Sequence, residues 1–235
     1  MEKEDQAWLD FRARFADVYD HANYANPIQS GLMQASHRLI EKSFKEDLHF
    51  ARVLEIGAGT GEHLGFVRHS FDQYILSDID AKTLEIAKTK FSRKFENKLL
   101  FETQTGGELC YADNSFDRLI ATHVLEHITS PHLVIKEWRR VVKNGGIISI
   151  VIPTDPGVAW RLGRHFGPRR NALAQGIAYD YVMAREHVNS CNNLIALLRH
   201  YFPELSEVWW PLPIPSIDLN LFFACHATVV KTDLK

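Results

Sequence analysis

The sequence predicts an α/β protein built on a doubly wound sheet, and three observations carry that prediction. From Arg52 onward, short apolar runs rich in Val, Ile and Leu alternate with helical runs, the pattern of parallel strands covered on both faces. A glycine-rich turn, Gly57-Ala58-Gly59-Thr60-Gly61, joins the first of those strands to a helix. A carboxylate, Asp78, ends the second strand about twenty residues later, the spacing of a ribose-binding acid.

The chain has 235 residues, enough for one large α/β domain or for one domain with a modest lid and insert. Lysine plus arginine, 27 residues, nearly balances the 29 acids; a dedicated nucleic-acid binder is usually clearly basic, so no nucleic-acid partner is expected. Cys110, Cys191 and Cys225 form no C-x-x-C pair, which suggests neither a disulfide framework nor a thiolate zinc site and fits a reducing, cytoplasmic setting. The opening Met1-Glu2-Lys3-Glu4-Asp5 is too acidic for a signal peptide. The longest apolar stretch, around Ile147 to Ile152, is too short to span a bilayer.

The elements follow in order. Trp8, Phe11, Phe15 and Tyr19 recur at spacings of three and four, which puts them on one face of a helix. Asn26-Pro27 breaks it, and a second helical run covers Gly31 to Phe44. Strands are expected at Arg52–Ile56, Gln73–Ser77, Lys98–Thr103, Phe116–Thr122 and Gly146–Ile152. Helices are expected at Glu62–His69, Ala81–Phe91 and Pro131–Lys143, the last stopped by Asn144-Gly145-Gly146. After Pro153 the rhythm lapses for about thirty residues that carry five arginines. A helix near Asn193–His200 and strands near Glu207–Trp210 and Leu221–Val230 close the chain. Pro211, Pro213 and Pro215 make the link between those strands an irregular edge or lid.

Glycines allow the tight strand-to-helix turn and leave bare backbone for a ligand to lie against. The nicotinamide fingerprint is G-x-G-x-x-G; here the spacing is G-x-G-x-G, with Glu55 two residues ahead. Asp78 suits ribose hydroxyls, and Asp80 suits the cap of the next helix.

The glycine loop, Ser77-Asp78-Ile79, Asp113-Asn114-Ser115-Phe116-Asp117, His123-Val124-Leu125-Glu126-His127 and Lys143-Asn144-Gly145-Gly146 come in order. Together they resemble the class I S-adenosylmethionine-dependent methyltransferases of the small-molecule type, over roughly Arg52 to Pro153. That resemblance implies a Rossmann-like seven-stranded sheet, mostly parallel with an antiparallel last strand, plus N-terminal helices and an insert after strand 5. It implies a helical lid over residues 1–50 and a methyltransferase domain over residues 51–235, with residues 153–190 as the substrate-side insert. The cofactor implied is S-adenosyl-L-methionine, held by Glu55, Gly57, Ala58, Gly59, Gly61, Asp78, Ile79, Thr105, Gly106 and His123. Relatives commonly place an Asp-Ala-type pair at the adenine; Gln104-Thr105-Gly106-Gly107-Glu108 has no aspartate there, which leaves that role to backbone groups or the Thr105 hydroxyl.

His123 to His127 also fits H-x-x-E-H, the zinc-hydrolase pattern. That chemistry needs both histidines on one helix face, whereas here a strand runs straight into His123. A similar Glu-His pair holds a divalent metal in some quinone-type relatives; hydrogen bonding to a neighbouring loop is the favoured role for Glu126 and His127, and no metal is assigned.

Methyl transfer from a sulfonium is an in-line displacement, in which alignment of the acceptor can be worth roughly 7–11 kcal/mol. An oxygen or nitrogen acceptor must also lose a proton, and histidine is the natural base near neutral pH. His123 and His127 are the catalytic candidates, with His187 a third. The acceptor is expected to be a small molecule, sugar-related or anionic, between the N-terminal helices, the insert and the Trp209–Pro215 lid. Tyr19, Tyr24, Arg161, Arg164 and His187 are its candidate contacts, the arginines because their planar forks suit carboxylate or phosphate. Arg185-Glu186-His187-Val188-Asn189 is a further motif similar to one in methylators of surface sugars. A dehydrogenase is disfavoured because the chain lacks a Tyr-x-x-x-Lys pair. The remaining alternative is a non-catalytic cofactor-binding partner subunit.

Overall fold

Successive residues of a strand face opposite ways, and here both faces are apolar. Leu54 and Ile56 point into one buried cluster while Val53 points into another. The computed structural model describes residues 27–231 together with residues 5, 8, 9 and 11. Its elements begin with α1 (Pro27–Glu41), β1 (His49–Ile56), a 3₁₀ turn (Glu62–Phe66), β2 (Ser70–Asp78) and α2 (Ala81–Phe95). A second 3₁₀ turn (Glu96–Lys98), β3 (Leu99–Thr103), β4 (Phe116–Thr122), a third 3₁₀ turn (Leu125–His127), α3 (Pro131–Val141) and β5 (Val142–Pro153) follow. The insert holds α4 (Val158–Phe166), α5 (Pro168–Ala174) and α6 (Tyr179–Glu186), and the chain continues through α7 (Cys191–Tyr201), β6 (Leu205–Trp210) and β7 (Phe222–Thr228).

The sheet order is β3-β2-β1-β4-β5-β7-β6. All neighbours are parallel except the two pairs that β7 makes, with β5 and with β6. The last strand is therefore the antiparallel one, as the resemblance implies. Helices α3 and α7 cover one face through Val134, Ile135, Trp138, Leu194 and Leu198. Helices α1 and α2 cover the other through Ile40, Leu84, Ala87 and Phe91. Because β2 and β4 lie on either side of β1, the strand order reverses there and a crevice opens beyond the carboxyl ends of β1 and β4, where ligands of such sheets bind.

Local signals set most boundaries. Asp80 caps α2 as expected: its Oδ1 accepts the Lys82 amide at 2.8 Å. Pro131 occupies the first turn of α3, where its missing N–H costs nothing. Two expectations need correction. Glu62–His69 is no full helix, because after Phe66 the chain extends at Val67 to reach β2, whose Ser70 amide already bonds Leu48. Asn144-Gly145-Gly146 does not end α3, which stops at Val141; it lies within β5, opposite a register shift between Phe116 and Arg118.

Arg118 lies on β4 in the α1-facing core and is fully buried. Its guanidinium donates to both oxygens of Glu41 on α1, at 2.7 and 3.2 Å, and lies 3.7 Å over the Phe44 ring. Its Nε reaches the Ser149 hydroxyl at 3.2 Å. His63 also hydrogen-bonds Glu41 (3.0 Å), and His37 meets His63 through their Nδ1 atoms (3.2 Å). Burial would lift the Glu41 pKa, but the His63 hydrogen bond and the Arg118 charge outweigh it and hold the carboxyl well below its ordinary value.

Candidate functional site

The glycine loop sits at the carboxyl end of β1, facing the end of β4. Gly57, Gly59 and Gly61 all have positive φ, at 68°, 51° and 78°, a region costly for any residue with a Cβ. At Gly57 a second reason applies: an added Cβ would fall 2.5 Å from Cγ2 of Val124, in the turn after β4. The two loops are therefore in direct contact. A Cβ at Gly59 would meet nothing within 4 Å, so this backbone faces open space.

Asp78 braces the loop. Its Oδ2 accepts the Gly59 amide at 2.8 Å and its Oδ1 the Asp80 amide at 2.9 Å. Burial raises its pKa against the pull of those amides. Each carboxylate oxygen retains a second lone pair, so a hydroxyl donor still finds an acceptor. Ile79 beside it is 75% exposed, a large apolar side chain left in the open at the rim of the crevice. Glu55 lies beneath the loop, buried, and accepts the Tyr74 hydroxyl at 2.6 Å. Burial raises the pKa of both groups.

The third wall follows β3. Thr105 is exposed, and the Gly106 carbonyl accepts the Trp138 indole N–H at 2.8 Å. Gly106 packs against Ile56, where a Cβ would come within 2.7 Å of Cγ2. Arg140 then clamps the loop: it donates to the carbonyls of Leu109 and Tyr111 and to Asp113, while Glu137 accepts the Leu109 amide at 2.9 Å. Close contacts thus join Gly57 to Val124, Gly59 to Asp78 and Gly106 to Ile56 at the carboxyl ends of the central strands, with Glu55 buried below the loop.

His123 follows β4 with φ 58°, a conformation few non-glycine residues adopt outside functional sites. Its Nε2 lies 3.0 Å from the Ser36 hydroxyl, which itself donates to the Met33 carbonyl at 2.7 Å. The Ser36 proton is therefore committed, and His123 must be the donor. On its other side, His123 Nδ1 lies 3.6 Å from Glu126. Glu126 is buried with Oε2 unpartnered, and His127 Nε2 lies 3.9 Å from its other oxygen. Burial would raise the Glu126 pKa, but the surrounding His123, His127 and His187 lower it.

The Leu125–His127 stretch is one 3₁₀ turn, not the helix that the zinc-hydrolase pattern requires. His127 turns to the insert, with Nδ1 2.9 Å from the Glu186 carbonyl and 3.3 Å from its carboxylate. Burial lowers its pKa, and Glu186 and Glu126 more than offset that, so the imidazole is raised overall.

The insert closes over this turn through the motif at 185–189. Asn189 donates its side-chain amide to the carbonyls of Leu125 and Ile128, and its backbone amide to Glu126. His187 Nδ1 meets Asp155 at 2.9 Å, and Arg164 donates to the same Asp155 oxygen at 3.0 Å. Arg164 is thus held within the protein, while Arg161 is exposed. Arg169 is taken by Asp180 in a two-pronged pair, and Arg185 lies 4.1 Å over the Trp8 ring. The five arginines of the insert therefore do not form a single cluster. Tyr19 and Tyr24 lie outside the described residues. Sequence reasoning missed Ser36, Asp155 and Trp160; a lone aspartate in Thr154-Asp155-Pro156-Gly157 just past a central strand was the one signal available.

A family model described as a methyltransferase domain matches residues 54–150. Methyltransferase GfsG of Streptomyces halstedii is 27% identical over 151 residues, 62% of this chain and 54% of that protein. The hybrid PKS-NRPS synthetase iccA of Talaromyces variabilis is 32% identical over 114 residues, 45% of this chain and 3% of that protein. The chain thus spans about half of one relative and a small part of the other. Among solved structures, the N-methyltransferase NodS from Bradyrhizobium japonicum WM9, in complex with S-adenosyl-L-homocysteine, shares the fold at 16% identity. Its TM-score is 0.62, over 97% of this chain and 100% of that one. The CurJ carbon methyltransferase shares it at 18% identity with a TM-score of 0.60, over 96% of this chain and 67% of that one. The matched domain, the sheet order with its antiparallel β7 and the loop between β1 and β4 agree: the chain carries a class I S-adenosylmethionine-dependent methyltransferase domain, matched over residues 54–150.

Proposed function

We propose that this protein binds S-adenosyl-L-methionine in the β1–β4 crevice and methylates an oxygen or nitrogen of a small-molecule acceptor. The observation that carries the reading is the brace between Asp78 and the Gly59 amide. It fixes an open stretch of glycine backbone next to a carboxylate with lone pairs to spare and next to the exposed Ile79. The glycine backbone, free of side chains, leaves room for the amino-acid end of the cofactor, Asp78 suits the ribose, and Ile79, Thr105 and Gly106 a flat apolar base. Gly57, Ala58, Gly61 and His123 complete that wall, with Glu55 supporting it from below. When bound, the cofactor supplies a methyl group already activated on a sulfonium.

The chain's own part is to align the acceptor and keep water out. Phe222 stands between His123 and Trp160 of the insert, with ring centroids 5.5 Å (His123–Phe222) and 6.0 Å (Phe222–Trp160) apart. Tyr19, Tyr24 and the exposed Arg161 are the proposed acceptor contacts, Arg161 for an anionic or sugar-acid group. His123 and His127 bound the reacting region.

The test is transfer of label from methyl-tritiated S-adenosylmethionine to a panel of phenols, sugar acids, carboxylic acids and primary amines. Labelled product that disappears with Asp78→Ala supports the reading. Tight cofactor binding without transfer to any member would favour a non-catalytic partner subunit.

A further inference from the structure

We propose that His187, held by Asp155, is the group that takes the proton from the acceptor; this rests on the methyltransferase reading above. Three histidines border the reacting region, and their hydrogen bonds distinguish them. The Nε2 of His123 must donate to Ser36, because the Ser36 proton goes to Met33, and its Nδ1 faces Glu126. His127 directs Nδ1 to Glu186 and Nε2 towards Glu126. Carboxylates on both sides favour a charged imidazole, which has no lone pair to offer.

His187 differs. Its Nδ1–H donates to Asp155 at 2.9 Å, which leaves the lone pair on Nε2. No hydrogen-bond partner for that nitrogen exists among the described residues, and it is not one of the buried unpartnered atoms. Asp155 lies two residues past the end of β5, at the same carboxyl edge as the glycine loop. The Arg164 guanidinium shares its Oδ2 and keeps the carboxylate charged. Burial works against that charge, but His187 and Arg164 lower the Asp155 pKa overall. Trp160 stacks on the His187 ring at 6.5 Å and 17°, and His127 meets it edge-on at 5.1 Å. Ring orientation is therefore set from three sides. An aspartate that fixes the tautomer and direction of a histidine is the arrangement by which imidazoles are made to accept a proton at one chosen nitrogen.

The step balances without a further reactant. The acceptor X–H gives its proton to His187 Nε2 while the X lone pair forms the new bond to the methyl carbon. The electron pair of the broken carbon–sulfur bond stays on sulfur, and the proton then leaves Nε2 for solvent.

The groups facing His187 are Asp155, the Arg164 guanidinium, and His127 and Glu126 of the turn after β4, with Glu186 its neighbour in sequence. The first readout needs no acceptor: nitrogen-15 spectra of the imidazoles in the whole protein between pH 5 and 9. Above its titration His187 should show a protonated Nδ1 and a bare Nε2, and Asp155→Asn should shift the tautomer balance. The opposite tautomer, or an imidazolium that persists at pH 9, would overturn the proposal. The second readout is kcat/KM against pH on any panel member that takes label. His187→Gln should lose at least 100-fold in kcat, and with it the fall in kcat/KM at acidic pH that protonation of a histidine base produces. Loss of less than threefold, or an unchanged pH profile, would also overturn it. S-adenosylhomocysteine binding by His187→Gln should stay within twofold of wild type. Failure of the wild type itself to bind would count against the methyltransferase reading, separately from the tautomer result.

Discussion

Arg118 and Glu41 meet 2.7 Å apart inside the protein, both side chains essentially excluded from water. The pair joins β4, at the centre of the sheet, to α1. Glu41 also anchors His63, and through it His37. The same helix carries Ser36, which sets the His123 tautomer. The seat of α1 on the sheet and the orientation of the histidine just past β4 are thus linked through one helix and its buried ionic contact.

Removing one partner should be far worse than removing both. Arg118→Ala leaves the Glu41 charge without its buried counter-ion, and a loss of about 3–5 kcal/mol is expected in urea unfolding. The double variant Arg118→Met/Glu41→Leu should recover a substantial part of that loss. Equal destabilisation in the two variants would contradict the coupling.

Acid should weaken the fold in two stages. His69 and His226 are pulled down to about 4, mainly by burial and then by the Arg118 charge. Their folded values lie below the unfolded reference, so the neutral forms are favoured in the fold. The stability they sustain is complete above about pH 6.5 and declines as pH falls towards 4. Glu41, held low in the fold, adds a further loss below about pH 4. Thermal melts should therefore show Tm falling between pH 6.5 and 4, with a shallower slope in His226→Gln. A flat Tm over that range would exclude the first stage.

Gly57→Ala combines a steric and a conformational penalty, and a second change separates them. The Cβ would strike Val124 at 2.5 Å, and φ is 68°. The substitution should weaken S-adenosylhomocysteine binding at least tenfold. Adding Val124→Ala should restore part of the affinity, leaving the left-handed penalty of about 1–2 kcal/mol. No recovery at all would mean that the two loops are not coupled at this contact.

Asn189→Ala removes two bonds that fasten the insert to the turn after β4. Faster hydrogen exchange is expected over α4 to α6, with global stability lowered by about 1–3 kcal/mol. Unchanged exchange in the insert would refute the fastening role.

Much of the site is written locally and could be read there. The glycine loop, Asp78 and the Asp80 cap depend on neighbours a few residues away or on the end of an adjacent strand, so spacing alone located them. The contacts between distant segments were hidden. Arg118 and Glu41 are 77 residues apart, and a charged residue within an otherwise apolar strand gives no hint of its partner. The Asp155–His187 pair spans 32 residues; the sequence pointed to His187 as a candidate but not to its partner. Counting arginines in the insert suggested a clamp, but composition does not record that Arg164 and Arg169 already have carboxylates.

The central claim is cofactor binding in the β1–β4 crevice, and calorimetric titration with S-adenosylhomocysteine addresses it most directly. Wild-type protein should bind in the micromolar range, and Asp78→Ala, which loses the brace on Gly59 and the proposed ribose acceptor, should bind at least tenfold more weakly while remaining folded. A well-folded wild type that takes up no ligand, or an Asp78→Ala variant with undiminished affinity, would contradict the account.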